Sequence, residues 1–251
     1  MSKEVKEDKR FVILAPARTG STMLRTVLNK LPNYKCHGEL YAINRILGLL
    51  PEVTSVNQPE LLKLRNEKPE EFHKEIKFVF GQQVGLKAIY FQLFNQTGLR
   101  FLRKLQVEKS IKVIHLWRND LAARHFSEIT LNYKAKFRNA EDVVNIKHQC
   151  DHNVMLNEAK RLIDCGNMLK DMLGDDRFLN IEYEKFVSSY EERALLFKFL
   201  NFSEEDVESF EIPKKRISFE NKSVNIDFVD QKRETDKFQA NIANLPKMEF
   251  K

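Results

Sequence analysis

Cysteine is scarce in this chain, which has only three among its 251 residues. Cys36, Cys150 and Cys165 are too few and too scattered for a disulfide framework, and their spacing matches no zinc motif. The sequence therefore predicts a reducing compartment, and nothing in it indicates secretion.

Long apolar runs are also lacking. The first ten residues, MSKEVKEDKR, are charged, and no run of the chain approaches the roughly 18 apolar residues of a membrane span. Internal repeats and low-complexity segments are absent as well. We expect a soluble, cytoplasmic protein without a membrane span.

Clusters of one charge sign are missing too. The net charge is +6 and 31 % of the residues are charged, but lysine and arginine are spread along the chain between acids. A mild basic excess favours anionic ligands, whereas nucleic-acid binding usually requires clustered basic residues. We therefore expect no nucleic-acid partner.

The chain is long enough, and at 42 % hydrophobic content apolar enough, to form one large domain over residues 1–251. Within it, 1–9 is a charged lead-in, and about 213–251 is a weakly patterned C-terminal tail or flap.

Four short apolar runs rich in β-branched or aromatic residues predict buried strands, and helical patterns separate them. The predicted strands are 10–15, 84–91, 111–117 and 177–183, and the predicted helices are 20–31, 59–76, 119–133, 141–173 and 184–201. This alternation predicts an α/β fold, a three-layer sandwich with a central parallel sheet and helices on both faces.

The end of the first predicted strand has the features of an anion-binding loop. In APARTGSTM the strand ends at Ala15, Gly20 permits close backbone approach, and Ser21 and Thr22 begin a helix. Backbone N–H groups at that helix start, the helix dipole, two hydroxyls and Arg18 together favour an anion. The simpler alternative is that Ser21 or Thr22 only caps the helix.

This loop does not fit ATP. A Walker loop has two glycines with four residues between them and then a lysine followed by serine or threonine, which hold the β- and γ-phosphates and magnesium. Here there is one glycine and no lysine, and Arg18 stands in its place. The ligand is therefore expected to end in a group other than a magnesium-bound γ-phosphate.

PARTGST resembles the 5′-phosphosulfate loop of sulfotransferases that use 3′-phosphoadenosine 5′-phosphosulfate (PAPS), closest to the bacterial enzymes acting on carbohydrates and small molecules. The resemblance implies a nucleotide-kinase-like (P-loop-like) fold, PAPS as sulfuryl donor, adenosine 3′,5′-bisphosphate as product, and no required metal. It also implies that Arg18, Thr19, Gly20, Ser21 and Thr22 bind the donor.

The same family binds the 3′-phosphate with a strand that ends in arginine and a serine eight or nine residues later. VIHLWRNDLAARHFSEI matches with Arg118 and Ser127, and an arginine at a strand's carboxyl end suits a phosphate. Alone, Arg118 would be interpreted as a surface ion pair with Asp120. Arg124 and His125 are weaker alternative ligands.

The predicted acceptor side begins with Glu39 in YKCHGELYA. The resembling bacterial enzymes carry a similar His-Gly-Glu sequence whose glutamate is the general base, so the resemblance implies Glu39 in that role. The alternative is an exposed glutamate that begins a helix over LYAINRILGLL. His37 is the second choice of base, because its ordinary pKa is nearer neutrality.

Lys87 and Arg18 complete the predicted catalytic set. Lys87 interrupts an apolar strand, which is costly unless its ammonium reaches a partner, and the family has a Gly-aromatic-Lys strand here. We assign Lys87 to the acceptor or the transferring sulfonate, or else to a structural pair with a buried acid. Arg18 is a candidate to neutralise the leaving phosphate.

The sequence thus predicts a PAPS-dependent sulfotransferase that sulfonates a hydroxyl or amine of a carbohydrate or small-molecule metabolite, with its oligomeric state open. The alternatives are a P-loop-like nucleoside or small-molecule kinase and a non-catalytic PAPS-binding protein. No metal site is expected. His148 and His152 in KHQCDHN fall one helical turn apart in the predicted helix 141–173, but a polar helix face explains them better.

Overall fold

The computed structural model describes residues 8–31, 34–50, 56–138, 143–174, 176–202 and 224–246. The chain divides into two compact units, with boundaries after Trp117, before Lys170 and after Pro213. The first unit contains the N-terminal part and 170–213, and the second contains 118–169 and the C-terminal part. The expectation of one domain over the whole chain stays a prediction.

The first unit is built on a five-stranded, fully parallel sheet. Its strands are β1 (Phe11–Ala15), β2 (Lys35–Glu39), β3 (Val84–Ile89), β4 (Lys112–Trp117) and β6 (Phe178–Glu182). They pair in the order β2-β3-β1-β4-β6. The helices are α1 (Ser21–Leu28), α2 (Gln58–Glu67), α3 (Pro69–Glu75), α4 (Tyr90–Leu93), α5 (Gln96–Val107), α8 (Tyr183–Ser188) and α9 (Tyr190–Leu200). A parallel sheet flanked by helices confirms the predicted α/β class.

The centre of this sheet is buried on both faces. All five residues of β1 and all six of β3 are buried, as expected for parallel strands covered by helices. The side chain of Phe11 packs on Gly85 of the neighbouring strand, where an added Cβ would lie 2.2 Å from the ring. The four predicted strands are confirmed, because their apolar runs coincide with β1, β3, β4 and β6.

The second unit contains a separate two-stranded parallel sheet. It consists of β5 (Val144–Gln149) and β7 (Val224–Val229), with helices α6 (Leu121–Lys136), α7 (His152–Leu173) and α10 (Gln231–Ile242). The last four residues of α7 belong to the first unit. Along β5 the residues alternate between half-buried and exposed, so one face of the strand meets solvent.

The predicted helix 141–173 is wrong over 144–149, which form β5. Polar residues alternate with apolar ones there, as in a strand with one exposed face. The helix begins only at His152, and the carboxylate of Asp151 accepts a hydrogen bond from the Asn153 N–H at 2.8 Å. A carboxylate at this position satisfies a donor that has no partner within the helix.

Two other predicted helices are each divided. The pattern 59–76 breaks at Lys68, because the residue before a proline disfavours helical geometry. The pattern 184–201 breaks at Ser189, whose extended backbone and hydroxyl cap α9 through the Glu192 N–H at 3.3 Å. The strand β2 and the helices α4 and α5 were not predicted.

The predicted lead-in and the predicted C-terminal tail or flap both contain residues that the structure describes. In the C-terminal region β7 pairs with β5, and Phe238 of α10 is fully buried, so part of the predicted tail or flap is packed. Residues 1–7 of the predicted lead-in lie outside the described residues. Asp8 is buried and forms an ion pair of 2.6 Å with Arg10.

The three cysteine thiols are free, which agrees with the prediction of no disulfide framework. Across the described ranges, no helix combines the length and the apolar character needed to cross a bilayer.

Candidate functional site

The turn between β1 and α1 has an unusual backbone. Arg18 and Gly20 both have positive φ angles, of 66° and 84°. The hydroxyl of Thr19, which is fully buried, donates to the carbonyl of Pro16 at 2.9 Å. The ring of Tyr183 lies against Gly20, where an added Cβ would be only 2.4 Å from it. Both the backbone angle and this contact therefore require glycine at position 20.

The start of α1 is arranged as an anion site. Gly20 is the cap residue, no side chain among the described residues caps this helix start, and its first turn contains no acid. The alternative that Ser21 or Thr22 only caps the helix is therefore wrong. Helix N-termini carry positive potential and N–H donors, so this turn favours an anion.

Lys87 connects this turn to Glu39. Its Nζ lies 2.7 Å from Oε1 of Glu39 and donates to Oγ1 of Thr22 at 3.0 Å. The Lys87 side chain is 5 % exposed and that of Glu39 is 24 % exposed, so the ammonium is buried while the carboxylate reaches solvent. Three predicted site residues from three separate segments are thus brought together: Thr22, Glu39 and Lys87.

A fourth residue completes this contact set and was not predicted. Gln92, in the short helix that follows β3, donates from Nε2 to Oε2 of Glu39 at 2.7 Å. Its side chain is fully buried. A glutamine after a strand resembles any surface residue in sequence, and only its position five residues after Lys87 could have drawn attention to it.

The end of β2 is fixed by its neighbours. The Gly38 N–H donates to the carbonyl of Gly48 at 2.7 Å, and the Leu47 N–H donates to the carbonyl of Glu39 at 3.1 Å. A Cβ on Gly38 would lie 2.4 Å from the carbonyl oxygen of Leu47. Residues 40–50 form no helix, so the alternative that Glu39 begins one is wrong.

Arg65 holds the segment that follows Glu39. Its guanidinium, which is almost completely buried, donates to the carbonyls of Leu40, Ala42, Ile43 and Arg45 at 2.6–3.3 Å. Four carbonyls converge on one cation, which satisfies backbone groups that neither a helix nor a strand satisfies here.

Two side chains at the carboxyl end of α1 bind the backbone of β2. Nε of Arg25 donates to the carbonyl of Cys36 at 2.9 Å, and Asn29, the residue that caps α1, exchanges hydrogen bonds with both backbone groups of Cys36 at 2.7 and 3.0 Å. The helix whose start favours an anion is therefore also bonded to the strand that carries Glu39.

His37, the second choice of base, is bonded to the backbone through both nitrogens of its ring. It is fully buried, its Nε2 donates to the carbonyl of Ile76 at 2.9 Å, and its Nδ1 accepts from the Leu50 N–H at 3.2 Å. With backbone partners on both ring nitrogens, His37 has neither an exposed nitrogen nor a free lone pair for a substrate proton. Of the two predicted bases, only Glu39 has a side chain that reaches solvent.

Arg118 and Ser127 belong to the second unit. Arg118 directly follows β4, and Ser127 lies in α6, as the sequence predicted. Their role at the 3′-phosphate stays a prediction.

The two alternative phosphate ligands of α6 are engaged with Glu158 of α7. Arg124 pairs with Oε1 of Glu158, and Nδ1 of His125 lies 2.5 Å from Oε2. Burial raises the pKa of Glu158, but the His125 hydrogen bond and the Arg124 charge outweigh it and lower that pKa to about 2. Because Glu158 already engages both side chains, the structure does not favour Arg124 and His125 as phosphate ligands.

The histidines of KHQCDHN do not share a helix, since His148 lies in β5 and His152 begins α7. Asp151, His152 and Glu234 bring three possible metal-ligand atoms within 4.8 Å of one another. However, Oε1 of Glu234 already pairs with Arg233 and Lys237 at 2.9 and 3.0 Å, and His152 bonds Oε2 at 2.8 Å. An ion-pair network that joins α7 to α10 explains this group.

No family model and no curated sequence matches the chain. Solved structures do match. A sulfotransferase from Alicyclobacillus acidocaldarius is 17 % identical with a TM-score of 0.54, over 94 % of this chain and 93 % of that chain. The sulfotransferase domain from the curacin biosynthetic pathway is 14 % identical with a TM-score of 0.55, over 96 % and 99 %. At these identities the likeness concerns the fold.

Proposed function

We propose that this chain, which has the sulfotransferase fold, transfers the sulfuryl group of PAPS to a hydroxyl or amine of a carbohydrate or other small molecule. The observation that carries the proposal is the contact of Lys87 with both Thr22 and Glu39. One buried ammonium thereby joins an anion-binding helix start to a carboxylate that can accept a proton.

The residues at the start of α1 fit the phosphosulfate end of the donor. The turn offers N–H groups, two hydroxyls and the Lys87 ammonium. In the proposed complex these residues hold the phosphosulfate, Arg18 neutralises the leaving phosphate, and Arg118 with Ser127 bind the 3′-phosphate. When bound, PAPS would supply the sulfuryl group.

The reaction is an in-line displacement. The acceptor oxygen or nitrogen forms a bond to sulfur, and the bridging S–O bond breaks with its electron pair going to the phosphate. Glu39 takes the acceptor proton, and Lys87 stabilises the negative charge on the sulfonate oxygens. The proposed chemistry requires no metal, because the ammonium and the N–H groups supply the positive charge.

Calorimetry tests the donor. We expect adenosine 3′,5′-bisphosphate to bind more tightly than ADP with magnesium, because the loop has no Walker lysine. Arg118→Ala should weaken binding of the bisphosphate and leave binding of adenosine 5′-monophosphate nearly unchanged. Tighter binding of ADP with magnesium would favour the kinase alternative and overturn the assignment.

Transfer of label from 35S-labelled PAPS to a panel of sugars, phenols and amines tests the chemistry. Glu39→Gln should reduce transfer to a small residual rate while the affinity for adenosine 3′,5′-bisphosphate is retained. The matched control is Glu67→Gln, an exposed glutamate in α2, which should transfer at the normal rate. Full activity of Glu39→Gln would exclude Glu39 as the base, and bisphosphate binding without transfer to any acceptor would favour the non-catalytic alternative.

A further inference from the structure

Gln92 is a neutral, fully buried side chain in direct contact with the proposed base. A buried amide is costly unless its polar atoms are bonded, and here both are. Its Nε2 donates to Oε2 of Glu39 at 2.7 Å, and its Oε1 accepts from the Ile89 N–H at 3.2 Å. Gln92 therefore links the carboxylate to the backbone at the end of β3.

The chemistry of these partners fixes which way the amide faces. A backbone N–H can only donate, so the amide oxygen must face Ile89. The NH2 group must then face Glu39, and a carboxylate can only accept. The orientation of Gln92 consequently follows from its partners and not from a choice between two similar amide ends.

The two oxygens of Glu39 have partners of different freedom. Oε1 is bonded to Lys87, whose ammonium sits on a flexible stem and also bonds Thr22. Oε2 is bonded to Gln92, which is held at both ends of its amide. The flexible stem of Lys87 allows its ammonium to turn to a sulfonate at the start of α1, whereas both polar atoms of the Gln92 amide are bonded to protein groups.

We infer that Gln92 is a positioning residue for the general base, an inference that rests on the proposed function. It holds Oε2 of Glu39 so that the acceptor proton is received at Oε1. The acceptor O–H or N–H bond breaks and an Oε1–H bond forms, while Lys87 turns to the sulfonate. Because an amide is not a base, Gln92 fixes the carboxylate without competing for the proton.

Two variants separate the parts of this contact. Gln92→Glu keeps an oxygen for the Ile89 N–H and removes the donor to Glu39, whereas Gln92→Met removes both contacts. In each variant we expect kcat for sulfuryl transfer to fall on the order of 10–100-fold, as when the hydrogen-bond partner of a reacting group is lost. The KM for the donor and the affinity for adenosine 3′,5′-bisphosphate should change little.

A double-mutant cycle distinguishes positioning from general structural damage. If Gln92 acts through Glu39, Gln92→Met should lower the rate of transfer when Glu39 is present. It should cause no further loss of the residual transfer in a Glu39→Gln background. A loss of the same factor in both backgrounds, or an unchanged kcat in Gln92→Met and Gln92→Glu, would overturn the inference.

The contact has a readout without any substrate. In 15N-labelled free protein, the side-chain amide resonances of Gln92 should shift in Glu39→Gln and stay in place in the control Glu67→Gln. An insensitive Gln92 amide would overturn the inference. An inactive wild-type protein that does not bind adenosine 3′,5′-bisphosphate would instead overturn the proposed function, so the two failures are distinguishable.

Discussion

The two parallel sheets of this molecule bury their side chains to different degrees. In the five-stranded sheet, β1 and β3 are buried at every position, whereas β5 of the two-stranded sheet alternates between half-buried and exposed residues. A polar side chain in β1 or β3 cannot reach water on either face and must find a partner. In the second sheet, polar side chains face solvent at little cost.

Because of this difference, a buried polar residue in the first sheet indicates a specific contact. Lys87 is one example, and His115 of β4 is another. Tyr90 donates to Nε2 of His115, whose Nδ1 lies 2.8 Å from Oδ1 of Asn180. Burial lowers the pKa of His115 to about 4, despite the Asn180 hydrogen bond, and the ring is neutral at pH 7. Each buried polar group of this sheet thus carries a specific contact.

The largest expected effect compares a phenylalanine from each sheet. Phe11→Ala in β1 should lower the free energy of unfolding by about 3–5 kcal/mol, because Phe11 is fully buried against Gly85. Phe228→Ala in β7 should cost roughly half of that or less, because this ring is only partly buried. Urea unfolding followed by circular dichroism measures both, and equal losses would contradict the comparison.

The next largest effect is on activity, and it compares the replacement of one lysine from each sheet. Lys87→Met should lower kcat by about 10²–10³-fold, because the variant loses the positive charge between Thr22 and Glu39. Lys147→Met removes an exposed lysine of β5 and should leave kcat unchanged. Steady-state transfer from labelled PAPS measures both. Comparable activity of the two variants would show that burial does not distinguish these lysines.

A partly buried charge, that of Glu158, also occurs in the second unit, but it lies between helices. Glu158→Gln should lower the free energy of unfolding at pH 7 by about 1.5–3 kcal/mol, since a charged hydrogen bond is lost. The folded pKa of Glu158, about 2, lies below its ordinary value, so the stabilisation is present above about pH 4.5. It is lost as the pH falls toward 2.

Chemical unfolding of the wild-type protein and Glu158→Gln between pH 7 and pH 3 tests this dependence. The difference in the free energy of unfolding between the wild-type protein and the variant should be constant near neutral pH and become smaller as the solution becomes acidic. A difference that widens on acidification would contradict the assigned sign.

The smallest effect should be the same in both units. Asn57 accepts from the Glu60 N–H at 3.0 Å at the start of α2, and Asp151 accepts from the Asn153 N–H at the start of α7. Both caps are exposed, so replacement of either by alanine should cost about 1 kcal/mol. Thermal unfolding of the two variants checks this, and a clearly larger loss in one would show that the difference between units extends to helix ends.

Sequence patterns predicted the buried sheet better than the exposed one. The four predicted strands were recognisable because burial on both faces requires continuous apolar runs. VNIKHQ of β5 carries alternating polar residues beside a long helical pattern, so it was assigned to the helix. KCHGE of β2 was missed because its burial depends on contacts with Arg25 and Asn29, which lie in another element.

The residues of the candidate site also differ in how well the sequence predicted them. Thr22, Glu39 and Lys87 were predicted because each belongs to a local motif or interrupts an apolar pattern. Gln92 and Arg65 were not, because their importance comes from partners 53 and 25 residues away, Glu39 and Leu40. A local pattern contains no information on such partners. The predicted resemblance to the sulfotransferase fold is confirmed, whereas the donor and the acceptor stay proposals.

The bonds from Arg25 of α1 and from its cap residue Asn29 to Cys36 have an entropic consequence for the proposed reaction. The anion site at one end of α1 and the carboxylate at the end of β2 are aligned when the chain folds. Two substrates that meet here would not have to order the protein groups that receive them. Loss of translational and rotational freedom by the substrates would then be the main entropic cost of bringing the acceptor to the sulfuryl group.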